Sequence, residues 1–323
     1  MHDAGLVFAM SLDGSGGGRE LTWDEVQRHD PADGPLWIHL DYQGSSTLDW
    51  IRRDSRLSPE MALAIAAEDT RPRMMSVGDS ALVILRGVNL NPGAEPEDMV
   101  SLRIAADARR VITVRHRKVM SIQDLRQALL DGAGPHSCGE FLAELASRLT
   151  ARMSVAVDSE CDAVDALEDQ VADTPTRRLR PLISESRRAV IALRRYILPQ
   201  REVLSQLAVA PLPWLDAHSK AVVREAADQV TRLAEDLDAA RDRAAVLRDE
   251  LESRVGEQMS KTMYVLAVVA AVFLPLGLLT GLLGINVMGI PGADNPSAFL
   301  VVCAVLIVLA LLQFWLFKRM RWI

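Results

Sequence analysis

Apolar positions recur on three different rhythms along the 323 residues. From residue 1 to about 138, short β-branched or alternating runs at Leu36–Leu40, Ala81–Leu85, Val100–Ile104 and Arg110–Val114 read as strands. Helical patterns lie between them at Thr47–Asp54, Ser58–Ala67 and Met120–Leu130, with Ser58 and Ser121 as caps. Turns fall at Asn91-Pro92-Gly93 and Asp107-Ala108. This pattern predicts an α/β layer domain over 1–138 with a mixed sheet. Residues 139–213 read as a helical hairpin, Gly139–Ala172 followed by Pro175–Leu207. Asp173-Thr174-Pro175 ends one helix and restarts the next, because proline suits a first turn.

A seven-residue rhythm then takes over in 214–262. Val223, Val230, Leu237, Ala244 and Leu251 form one row, and Ala226, Leu233, Ala240 and Leu247 form the row three residues later. This a/d pattern predicts one long stalk helix. The seam serves equally an intrasubunit helical hairpin or packing between subunits. Past residue 262 the rhythm vanishes into continuous apolar sequence. Met263–Leu283 and Ala298–Phe317 contain no charged residue, and each is long enough as helix to cross the roughly 30 Å hydrocarbon core. They are predicted transmembrane helices, joined by a loop over 284–297 and followed by a basic tail over 318–323.

Charge sets their orientation. Arg254 and Lys261 precede the first span, Lys318, Arg319 and Arg321 follow the second, and the loop between has no basic residue. The positive-inside rule therefore puts both ends in the cytoplasm and the loop outside, in the periplasm. No basic region followed by an apolar run occupies Met1 to Glu20, so the N-terminal domain is expected to stay cytoplasmic. The chain after residue 262 carries +2, leaving −9 for the preceding residues out of a net −7. An acidic soluble part argues against a nucleic-acid partner and suits cations. Cys138, Cys161 and Cys303 are scattered and form no metal-binding spacing.

Catalytic motifs are missing. The chain has no phosphate-binding glycine loop, nucleophile elbow or His-Glu-x-x-His pair. His39 and His116 sit in strand patterns and read as structural, so no enzyme and no bound cofactor is expected. The first span does carry features that a plain anchor does not need. Pro275, Gly277, Gly281 and Gly284 allow close helix approach and local carbonyl exposure. Two helices cannot enclose a polar path alone, so a transporter built this way must be a symmetric homo-oligomer with one helix per subunit on the axis.

The first span ends in Gly284-Ile285-Asn286. That Gly-x-Asn tripeptide, two C-terminal spans, a basic tail and an N-terminal α/β domain resemble the CorA metal-ion transporter superfamily. Phe273-Leu274-Pro275-Leu276, Leu36-Trp37-Ile38-His39-Leu40-Asp41, Thr70-Arg71-Pro72-Arg73 and Arg86-Gly87-Val88-Asn89-Leu90 are similar to its zinc-transporting ZntB branch. Ile285 in place of the methionine of the CorA signature points the same way.

The resemblance implies an α+β membrane protein assembled as a homopentameric funnel in the inner membrane. Gly284, Ile285 and Asn286 would form the selectivity filter, Asn286 gripping a hydrated ion through its water. Met263, Leu266, Ala270, Leu274 and Gly277 would line the pore, and Asp294 would be the outer-loop acid. Divalent metal cations would be the cargo, zinc first, with Mg2+, Co2+, Ni2+ and Cd2+ as alternatives. Competing readings are a magnesium/cobalt channel of the CorA type and a membrane-anchored coiled-coil sensor that carries no ion.

Overall fold

The computed structural model describes residues 5–68, 71–171, 173–284 and 296–319. They divide into two compact units, Met1–Arg248 and Asp249–Ile323. The first unit begins with β1 (Leu6–Leu12), β2 (Gly18–Leu21), α1 (Trp23–Arg28), β3 (Leu36–Asp41), α2 (Thr47–Arg53) and α3 (Pro59–Ile65). It continues with β4 (Arg73–Val77), β5 (Ser80–Gly87), β6 (Val100–Ala106), β7 (Arg110–Arg115) and α4 (Met120–Leu130). Two long helices follow, α5 (Cys138–Gln170) and α6 (Thr176–Val209). Helix α7 (Ala217–Leu283) supplies residues to both units, and α8 (Ala298–Arg319) belongs to the second.

The strands form one seven-stranded sheet in the order β2-β1-β3-β7-β6-β5-β4. It is mixed, as the sequence predicts: β3 and β7 are parallel, and the other neighbours are antiparallel. Helices cover both faces. On one face Ile38, Ile84, Ala105 and Ile112 pack with Val26 of α1, Ile51 of α2 and Met61 and Ile65 of α3. On the other, the ring of Trp37 meets Phe141 of α5 edge-on at 4.7 Å. Burial on both faces explains why Leu36–Leu40 and Val100–Ile104 read as near-continuous apolar runs. Strands β1, β2 and β4 and helix α1 were not expected from the pattern. The edge strands β2 and β4 bury at most one residue each, so their side chains carry little of the period-two signal.

Local chemistry sets several boundaries. Thr22 and Glu25 close a reciprocal capping box at the start of α1, while Ser58 accepts from the Met61 amide and Ser137 from the Glu140 amide. Ser121 lies inside α4, whose N-cap is Val119. Gly34 has φ +105°, and a Cβ there would stand 2.2 Å from the Leu12 carbonyl oxygen, so only glycine fits. Proline lies inside α6 at Pro181 and Pro199. The residue before Pro199 therefore remains helical against its usual bias.

The a/d rows of the stalk are buried within this single chain. Val223, Val230, Leu237 and Ala240 are fully buried, and Ala226, Leu233, Ala244 and Leu247 nearly so. Their partners are α5 and α6: Arg194 of α6 pairs with Asp238 at 2.5 Å, Arg243 with Asp165 of α5 at 3.1 Å, and Cys161 of α5 donates to the Asp236 carbonyl. The intrasubunit alternative thus accounts for the seam down to Leu247.

Candidate functional site

The second unit contains the apolar end of α7 and the whole of α8. Both helices are long and apolar enough to cross a membrane, with mean hydropathy 2.5 and 2.9, and neither apolar window is buried by the rest of the chain. In water such exposure would be untenable, since monomeric soluble surfaces rarely expose contiguous apolar patches of this size. In a bilayer it is the expected state. At the end of α8, the Arg319 guanidinium lies 5.4 Å from the Trp315 ring centroid, an arrangement that suits a headgroup-level anchor.

The five residues expected to line a path are Met263, Leu266, Ala270, Leu274 and Gly277, all on α7. Their spacing of three and four residues puts them within an arc of roughly 80° on one side of the helix. Gly281 and Gly284 extend the same row. Met263, Leu266 and Leu274 are 59%, 68% and 71% exposed, and a Cβ added at Gly277 or Gly281 would meet nothing within 4 Å. Packing among the described residues therefore does not explain these small residues. The row is apolar throughout and presents no side-chain charge.

Nearby polar groups are turned inward. The Thr280 hydroxyl donates to the Leu276 carbonyl at 3.0 Å and the Gly277 carbonyl at 3.1 Å, which commits its proton to the helix backbone. The Gly284 amide donates to the carbonyls of Thr280 and Gly281 in a tightened last turn. Pro275 has no N–H to give, so the Ala271 carbonyl lacks its usual helical donor. On α8, the buried Gln313 Oε1 has no partner among the described residues. Its being an amide in an otherwise apolar span was the one sequence signal for it. Ile285, Asn286 and Asp294 lie outside the described residues.

The first unit holds the acidic stripe of α5. The neighbouring α6 is arginine-rich, but the described ion pairs that α5 and α6 make with other helices run to α7 or α4. Glu160 instead faces other carboxylates. Burial, then Glu97, Glu185 and Glu95, push its carboxyl above the ordinary range. No group of three or more ligating side chains positioned for a metal ion occurs among the described residues. The two histidines expected to be structural differ in setting. His39 is fully buried, its Nδ1 2.8 Å from Thr113 Oγ1, which also accepts from Trp37 Nε1. His116 is half-buried and hydrogen-bonded to Arg103.

A bilayer-spanning pair of helices, a mixed-sheet domain and a glycine-bearing apolar row define a class of two-span membrane proteins with a large soluble domain. Comparison with known proteins places the chain within that class. Residues 32–319 match the family described as CorA-like Mg2+ transporter protein. The divalent cation transporter CmaX of Pseudomonas aeruginosa is 41% identical, with 99% of this chain and 98% of that protein covered. The zinc transport protein ZntB of Yersinia pseudotuberculosis is 35% identical over 98% of this chain and 96% of its own length. Among solved structures, full-length CmaX superposes with a TM-score of 0.85 over 100% of this chain and 99% of that one. The CorA magnesium transporter of Methanocaldococcus jannaschii shares the fold at a TM-score of 0.81, 20% identity and coverage of 98% and 99%. The chain belongs to the CorA-like family of metal-ion transporters.

Proposed function

We propose that the chain transports divalent cations, zinc foremost, across the cytoplasmic membrane through a central pore. The pore is lined by the first span of each subunit in a homopentamer. The observation that carries this reading is the reach of the family match, which runs through both spans and across Gly284-Ile285-Asn286. The exposed row from Met263 to Gly277 supports it, because those residues need a partner that one chain does not supply. Both termini face the cytoplasm in this arrangement, following the basic flanks.

The physics of the row suits passage rather than storage. Small divalent cations surrender water reluctantly. At the outer mouth, neutral oxygens from Asn286 and the Gly284 carbonyl hold a hydrated ion through its water, where a carboxylate ring would retain it too tightly. Further in, rings of Leu274, Leu266 and Met263 offer no ligand, so conduction depends on whether they are wet. Zinc is favoured over magnesium by the ZntB relatives. The magnesium reading rests on the family description itself.

Uptake of zinc and of magnesium into proteoliposomes holding the purified protein tests both. Zinc flux that Asn286→Ala abolishes, with assembly intact, supports the reading. Magnesium flux alone transfers the chain to the magnesium channels. Absence of either flux returns it to a membrane-anchored sensor.

A further inference from the structure

A cavity of about 530 Å³ lies within the first unit. It opens beyond the carboxyl end of β7, which pairs in parallel with β3, the place where open sheets with parallel strands tend to take ligands. Arg86, His116, Arg117, Arg195 and Tyr196 are among its walls. The Arg86 and Arg195 guanidiniums lie 4.4 and 5.5 Å from the Tyr196 ring centroid, so the ring fixes both near the cavity. Gln200 holds this wall to the sheet by accepting from the Arg86 amide at 2.7 Å. Arg117 and Arg195 have no ion-pair partner among the described residues.

His116 is set up as a neutral donor. Its Nε2 lies 3.0 Å from Arg103 Nη2, and a guanidinium only donates, so Nε2 accepts and the ring proton sits on Nδ1. Arg103 is itself immobilised, fully buried, bonded to the Ala67 and Glu68 carbonyls and stacked on Tyr42 at 4.4 Å. Burial first, then the Arg103 charge, lowers the affinity of His116 for a second proton. The same cavity also offers acceptors. Glu68 and Asp98 line it, and the Arg195 carbonyl beside it lacks its usual helical donor because Pro199 has no N–H. Glu97 lines it too, but its charge is felt at Glu160.

We propose that this cavity binds a hydroxyl-bearing organic phosphate, a nucleotide or a sugar phosphate. The phosphate sits against Arg117, Arg195 and His116 Nδ1–H, and the hydroxyls sit against the Glu68 and Asp98 carboxylates. Arginine forks match phosphate oxygens, whereas the carboxylates repel any anion that brings no donor. The volume lies in the range of small-molecule sites. A metal ion is the poorer occupant, since no set of three ligating side chains converges among the described residues.

Calorimetric titration of the full-length protein in detergent with AMP, ribose 5-phosphate and inorganic phosphate tests this. Saturable binding of AMP or ribose 5-phosphate is expected, at least about tenfold tighter than inorganic phosphate, and the tighter of the two identifies the source. The double variant Arg117→Gln/Arg195→Gln should weaken it by at least about tenfold while its ligand-free melting temperature stays that of the parent. His116→Phe should weaken it less, by loss of one donor. No saturable heat with either organic phosphate at millimolar concentration overturns the proposal. So does equal affinity in the double variant, or inorganic phosphate binding as tightly as the esters.

Discussion

His39 makes the soluble unit acid-sensitive by an amount that can be worked out. The imidazole is fully buried between Phe8 and Trp37, with ring centroids 4.9 and 6.3 Å away. Thr113 Oγ1 receives the Trp37 N–H, and its own proton has the Ile38 carbonyl as an acceptor at 3.4 Å. His39 then donates from Nδ1, leaving a bare Nε2, which costs less than a buried N–H without an acceptor. Burial, then Arg115 and Arg126, lower its pKa from 6.5 to about 3. The sign follows directly. Above pH 6.5 neither the folded nor the unfolded chain is protonated at this ring, and the stabilisation is complete. Below it the unfolded chain binds a proton that the folded chain refuses until pH falls to about 3. Between pH 7.5 and 5.0 the loss is about 2 kcal/mol, at 1.36 kcal/mol per unit of pH. In a unit of this size that is a fall of about 4–8 °C in Tm. Thermal melts of the parent and of His39→Phe, in detergent at pH 7.5, 6.5 and 5.0, isolate the contribution. The variant should gain on the parent as pH falls. A gap between the two proteins that stays constant across the three pH values refutes the argument.

Three further outcomes are expected. Gln200→Leu leaves the Arg86 amide without its described acceptor and should cost about 1–3 kcal/mol by chemical denaturation, with magnitude set by desolvation of one buried donor. Ala240→Leu, at a fully buried position of the α7 seam, should cost about 1–3 kcal/mol through overpacking, whereas Val246→Leu on the exposed side of the same helix should be near neutral. Leu266→Asn places an amide in the apolar row and should raise resting cation leak into proteoliposomes by easing hydration, without altering the melting temperature of the soluble unit. An unchanged leak would remove Leu266 from the proposed path.

The membrane spans, their order and the seam of α7 were legible in the sequence because each obeys a one-dimensional rule. A bilayer demands a run of fixed length, and a packed helix demands apolar residues every three or four positions. The strands β3, β5, β6 and β7 were legible for a related reason, being central and buried on both faces. Edge strands β2 and β4 escaped notice, since an edge contributes backbone pairing more than side-chain burial. Periodicity names the face of a helix but not its partner. Only the tertiary structure could show that Val230 and Leu237 pack within their own chain, and that Arg194 of α6 reaches Asp238 of α7. The same holds for His39 and Thr113, 74 positions apart and neighbours only because β3 pairs with β7. Arg103 and His116 likewise meet across the β6–β7 pair, and Arg195 comes to the same cavity from α6. Such convergence leaves no trace in spacing along the chain, because it is created by strand order and helix packing, which are properties of the folded whole.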